Sequence, residues 1–479
     1  MAKPASGPVI LIEFNELSPV LTQQFIAEGK LPNFKRFYDQ AEVYVTEAEE
    51  RAPYLEPWIQ WITVHSGLNY RQHQIFQLGR GHQSEEKCIW DTLSSTGHRV
   101  WVCGSMNIRH DLPLRGWVIP DPWTTKLQPY PSELLPYFEF VQRNVVDSTK
   151  DEIPLSLRDY LRFLTFMASH GLSIETTLAI AKQLLGERAG TRRRWKRAVL
   201  LDKLQYDLFQ WHYRSYRPDF STFFLNSTAH FQHFYWRNMR PEIFKVQPSR
   251  EEQAEFSNAI LFGYQEMDRL LERFFGLAGD DATLILCTAL SQQPCLKYED
   301  DGGKVIYRPK DFTEFLAFAG VTGPFKVAPI MAEEFLVYLE DEAAALAAEQ
   351  TLRALTMEGE ELMNVRRESA SLSCSCRISH QLSRSVIVRS TTIEGAAPFF
   401  DLFYQIEGIK SGMHHPDGMF WVRAPDHAHR VHHEKLRLDA IAPMILGMFG
   451  VEEVEPAEQP MNARHHSSAA AIGVNVHTH

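Results

Sequence analysis

The sequence is short of cysteine, of long apolar runs and of positive charge. Six Cys in 479 residues are too few for a disulfide scaffold, and none of them (Cys88, Cys103, Cys287, Cys295, Cys374, Cys376) stands in a CxxC pair. All six read as reduced thiols. No stretch reaches the ~18 uninterrupted apolar residues of a membrane span. Lys and Arg number 49 against 60 Asp and Glu, a net charge of −11. A nucleic-acid binder usually carries the opposite balance, so none is expected as a partner. Gly and Pro, 26 each, are too sparse for a collagen-like or low-complexity chain. The opening residues lead directly into Val9-Ile10-Leu11-Ile12. That apolar run is too short for a secretory signal and reads as a first strand, which points to the cytoplasm.

What is present is a globular composition, 44% hydrophobic and 23% charged. The runs Val9–Phe14, Phe220–Leu225 and Thr283–Cys287 read as buried strands, and 43–45 and 99–103 as two more. Helices are expected from about Pro19, with Leu21 and Phe25 on one face and Gly29 ending it. Others are expected from Leu31, over Pro57–Ser66 and over 251–275. Residues 120–215 differ. They begin rich in Pro and continue with helical spacing through Leu157, Leu161, Leu164 and Met167, then Leu178, Ala181 and Leu185. This predicts a helical insertion capping the functional face. Its basic run, 192–197, reads as a solvated helix face or as a patch for phosphate or lipid headgroups. Residues 335–390 read as a small α+β lobe, and 451–479 as a disordered tail.

Four loops bearing polar residues stand out among the strand ends of this pattern: Asn15-Glu16, 56–67, 226–233 and 412–418. In an α/β chain such segments gather at the carboxyl edge of the sheet. They supply Glu13, Asn15, Glu16, Glu56, His65, Asn226, His230, His233, His414 and His415. Carboxylates serve as bases or nucleophiles, and imidazoles and amide oxygens as metal ligands.

In chain order these segments resemble the alkaline phosphatase superfamily, especially its type I phosphodiesterase/nucleotide pyrophosphatase branch, over roughly 8–105 and 218–450. Leu31-Pro-Asn-Phe-Lys-Arg-Phe37 is similar to the branch's LPNlkrL, and Ser66-Gly67 with His73 to its TG…HG. Asn226-x-x-x-His230 is similar to DxxxH. The helix 251–275 and strand Thr283–Cys287 are similar to the approach to SDHG, Gly412-x-His414 to the late metal-binding His, and Ile441-Ala-Pro443 to the final helix. The resemblance implies an α/β fold, an αβα sandwich with a mainly parallel central sheet. It implies a core of 8–119 and 216–450, a helical cap at 120–215 and the lobe at 335–390.

The family holds two metal ions, and the resemblance implies that this chain does not. Its first Asp position is Asn15, its SDHG position reads Thr288-Ala289-Leu290-Ser291, and its nucleophile position is Pro57, preceded by Glu56. The implied remaining ligands are Asn226, His230 and His414, for at most one divalent ion, zinc or manganese. Glu56, His65 and Glu16 are then the candidate catalytic groups, and Glu13, Asn15, His233 and His415 the candidate ligand-binding groups. The implied activity is hydrolysis or transfer on a phosphoester, phosphodiester or related anionic or glycan substrate. Two other readings stand beside it. One is a non-catalytic relative that binds an anionic or glycan ligand or a protein partner. The other is metal-independent acid–base chemistry by Glu and His, for example on a sugar.

Overall fold

The computed structural model describes residues 7–124, 126–146, 155–188, 191–390, 395–425 and 427–451, without the side chains of Val146 and of 191–193. The expected tail beyond Val451 lies outside the described residues, as do two side chains of the basic run.

The strands that build the site are β1 (Val9–Phe14), β2 (Glu42–Glu47), β3 (Val100–Cys103), β4 (Gly116–Ile119), β5 (Phe220–Leu225), β6 (Thr283–Cys287), β7 (Ser291–Pro294), β8 (Gly412–His415) and β9 (Asp417–Arg423). Among the described residues the main sheet has nine strands. Its order is Arg430–Val431, β2, β9, β6, β1, β5, β3, β4, with Leu436–Arg437 also on β2. From β6 to β4 all pairings are parallel, and β9 runs antiparallel to both its neighbours. The molecule is therefore mixed α/β with a large, mainly parallel central sheet. Every residue of β1, β5 and β6 is buried. A strand covered on both faces has no polar side to show, which is why these runs do not alternate.

The helices used below are α1 (Pro19–Ala27), α2 (Pro32–Asp39), α3 (Pro57–Ser66), α4 (Leu157–Ser169), α5 (Ile174–Arg188), α6 (Ala198–Tyr216), α7 (Ser227–Met239) and α8 (Ala259–Ala278). Alternation along β1 divides the core. Ile10, Ile12 and Phe14 pack with α1, α2, α6 and α8, while Val9 and Leu11 pack with Trp61 and Val64 of α3. A third apolar cluster runs from Val305 to Ile409; the region around it, with two small antiparallel sheets and helices Phe312–Phe318 and Glu342–Arg353, is called the lobe below.

Three expectations change. The segment after β5, read as a loop, is helix α7, packed against α8 and β8. Its Thr, His and aromatic residues have modest helix propensity, so burial decides its form. The single helix expected at 251–275 is two, Arg250–Phe256 and α8, separated at Ser257 and Asn258. The polar loop 412–418 is strand β8, which pairs antiparallel with β7, followed after Pro416 by the start of β9, which joins the main sheet. All six Cys are buried free thiols. No described helix is long and apolar enough to cross a membrane.

Candidate metal and ligand site

The site begins where β1 ends. Asn15 Oδ1 accepts from Trp61 Nε1 at 2.7 Å, and Asn15 Nδ2 donates to Asn226 Oδ1 at 2.7 Å and to Glu16 Oε1 at 2.9 Å. The amide groups of Asn15 and Asn226 are thus occupied with each other and with Glu16. Glu16 turns the chain with φ 60°. Its carbonyl accepts from Gln232 Nε2 at 2.7 Å, and its Oε2 accepts from Gln292 Nε2. Tyr264 of α8 donates to Gln232 at 2.9 Å and accepts from Ser18 N at 2.7 Å. This network fixes a buried carboxylate in one orientation.

Two imidazoles meet that carboxylate. His233 of α7 brings Nε2 to 3.3 Å from Glu16 Oε2, and His414 of β8 brings Nε2 to 3.5 Å from the same atom. The three donors lie within 4.8 Å of one another. In a tetrahedral site with bonds of ~2.0–2.1 Å, neighbouring ligand atoms are about 3.4 Å apart. The observed spacings fit that edge. His414 Nε2 is buried without a hydrogen-bond partner. The Leu55 carbonyl lies toward the His414 ring and the Gly412 carbonyl toward the His233 ring, whose Nδ1 makes no hydrogen bond. Burial lowers the His414 pKa to about 3, against the pull of Glu16, and holds His233 well below the usual range. Both rings are therefore neutral and offer lone pairs at physiological pH.

Glu56 stands beside the donors, at the N-cap of α3, with Oε2 3.4 Å from His414 Nδ1. Its side chain keeps 29% exposure yet lies among many protein atoms. That desolvation pushes its pKa up to about 8, opposed by Lys410 and assisted by Glu334, Glu16 and Glu333. Glu334 is likewise pushed up to about 7, by burial and by Glu333. The rim is acidic, with Lys410 as the nearby cation in both cases.

The other candidates are placed differently. His230 pairs through Nε2 with Glu407 Oε1 at 3.3 Å, away from Glu16, so the donor set differs from Asn226, His230 and His414. His415 Nδ1 accepts from Asp417 N at 3.1 Å within its own turn. Glu13 and His65 form a pair at 2.7 Å with side chains 0% and 1% exposed. Ser105 donates to Glu13 at 2.6 Å, and Trp61 and Trp90 flank the His65 ring. This pair is shut inside the core and has no face toward solvent. Ala289 and Leu290 are fully buried in the apolar cluster and supply no donor atom. Gln232, Gln292, Glu334 and Lys410 were not anticipated. Gln292 and Gln232 have no local signal, since both act through contacts more than 200 residues away in sequence.

No protein-family profile matches the chain, and no curated protein matches it. Solved structures do. The chain is similar to phosphonoacetate hydrolase from Sinorhizobium meliloti 1021 in complex with phosphonoformate, at 14% identity and TM-score 0.41, covering 93% of this chain and 97% of that one. It is similar to an inactive form of murine ectonucleotide pyrophosphatase/phosphodiesterase 5 in complex with AMP, at 10% identity and TM-score 0.40, covering 93% and 95%. The human counterpart gives 8% identity and TM-score 0.40, covering 92% and 95%. Identities this low speak to the fold alone.

Proposed function

We propose that the chain is an atypical enzyme of the alkaline phosphatase kind. It hydrolyses or transfers a phosphoester, phosphodiester or related anionic group with one divalent cation held by Glu16, His233 and His414. The observation that carries this reading is the convergence of those three donors, from β1, α7 and β8, at 3.3 and 3.5 Å. Two neutral imidazoles and a carboxylate suit zinc or manganese. A cation bound there would act as a Lewis acid toward a phosphoryl-type oxygen. Glu56 and Glu334, whose pKa values burial raises to about 8 and about 7, carry little of their charge near neutral pH and leave the rim open to an anionic substrate. Glu56, partly exposed and next to His414, is the group we assign as base or nucleophile, in the charged form that a cation bound beside it would favour.

One observation favours a binding protein instead. Pro57, at the position the family gives its nucleophile, starts α3 and has no reactive group. One experiment separates the readings: metal content after dialysis against zinc or manganese, with turnover of p-nitrophenyl phosphate and its diester. The expected result is one ion more in the wild-type chain than in Glu16→Gln or His414→Ala, with turnover only in the wild type. An ion without turnover selects the binding protein. Equal metal content in all three chains overturns the metal site.

A further inference from the structure

Away from this site, the large apolar side chains left exposed gather on α4 and α5. In α4, Leu157, Tyr160, Leu161 and Leu164 recur at i, i+3, i+4 and i+7 and are 76%, 44%, 57% and 47% exposed. Phe163, Phe166 and Met167 of the same helix are buried in the core. A surface helix ordinarily has one apolar stripe, turned inward. This helix has a second one, turned outward. In α5, Ile174, Leu178, Leu184 and Leu185 are all more than half exposed, and Thr176 is the buried residue. The two helices follow each other across residues 170–173; α4 packs against Leu135–Val146, and α5 against the basic run 191–197 and α6. Exposed apolar side chains gathered on two successive helices mark an interaction site.

The same stretch reverses the charge of the chain. Residues 155–197 hold nine Lys and Arg against three Asp and Glu, a net +6 in a chain of −11. Arg158, Lys182 and Arg188 are exposed and have no ion pair among the described residues. We propose that α4, α5 and the basic run packed against α5 dock on an anionic lipid surface. Their apolar stripes would enter the headgroup boundary while the surrounding Lys and Arg meet the negative headgroups. Charge selects this occupant over a second copy, because twofold pairing through residues 155–197 sets +6 against +6. The rest of the chain is strongly negative and is repelled by the same surface, so this face alone approaches it.

The test is co-sedimentation of the full chain with vesicles of phosphatidylcholine alone and with about 30% phosphatidylserine, at low and high salt. The expected result is at least about tenfold tighter binding to the phosphatidylserine vesicles, weakened by salt. The variant Leu161→Asp/Leu178→Asp/Leu185→Asp loses that binding, and Lys182→Glu/Arg188→Glu weakens it. All five positions are exposed, and an unchanged melting curve confirms that each variant folds. No binding by the wild-type chain, or full binding by the triple-Asp variant, overturns the proposal. So does a concentration-dependent dimer that the triple-Asp substitutions dissolve.

Discussion

Glu13 and His65 illustrate how a pair of reactive residue types becomes part of a core. Each is the other's partner, and neither reaches solvent. Removing His65 leaves Glu13 Oε1 buried without its hydrogen-bond partner, with Ser105 still on Oε2, at a cost of about 1–3 kcal/mol. His65→Ala is expected to lower the urea midpoint accordingly while leaving the metal content unchanged. A loss of bound metal at unchanged stability would contradict that role. His212 gives the clearest pH effect. Its ring lies among Trp101, Trp117, Trp211 and His170, and neither ring nitrogen has a hydrogen-bond partner. Burial lowers its pKa to about 3 in the folded chain, with His170 adding to the effect. The unfolded chain protonates near pH ~6.5. Stability from this site is therefore complete above that pH and is lost as the pH falls toward 3. Between those limits His212→Phe should flatten the decline in unfolding free energy by roughly 2–4 kcal/mol, measured by denaturant titration. At this scale the sequence reveals residue types but not their directions. Asn15 and Glu16 were legible as a strand end. That Glu16, and not Asn15, meets the histidines depends on a φ of 60° that no local pattern announces.

Helix α2 shows how elements are tied together. The Asp268 side chain, on α8, accepts from the backbone N–H groups of Asn33 and Phe34 at 2.9 and 2.8 Å and from Asn33 Nδ2 at 2.9 Å. It caps a helix that has no side-chain cap from its own N-cap residue, Leu31. Asp268→Ala should cost about 1–3 kcal/mol in thermal or denaturant unfolding, and Asp268→Asn less, because it keeps one acceptor. Elements whose signal is local were readable. The strands β1, β5 and β6 are continuous apolar runs, and α1 opens on Ser18-Pro19 and is followed by Gly29 in a left-handed conformation. α7 was not readable, because its helical form depends on packing against α8 and β8. That difference also separates His233, which faces Glu16, from His230, one turn earlier and paired with Glu407. β9 was hidden by Gly412, Pro416 and Gly418, which read as loop punctuation and turn out to lie in or between two strands that pair with different neighbours.

At the scale of the molecule, the lobe has its own apolar cluster and small antiparallel sheets, while β1, β5 and β6 are covered on both faces. Opening the lobe exposes less apolar surface than opening the main sheet. Native-state hydrogen exchange should therefore show amides of Leu355–Met357 and Ile387–Ser390 exchanging at lower denaturant than those of β1 and β5. A single common opening would mean that lobe and sheet unfold as one unit. The placement of β9 has a further consequence, for synthesis of the chain. Glu47 pairs with Asp417, 370 residues later, and β2 has no other partners than strands from the last part of the chain. At about 5–20 residues per second, β2 waits roughly 20 to 70 seconds on the ribosome for its neighbour. During that interval β6 also presents an open edge, since β9 fills the gap between them. A chain ending near residue 410 should consequently be released with two unpaired strand edges at the middle of its sheet. Such a chain is expected to be found in the insoluble fraction on expression, whereas removal of residues 452–479 leaves both edges closed and the product soluble.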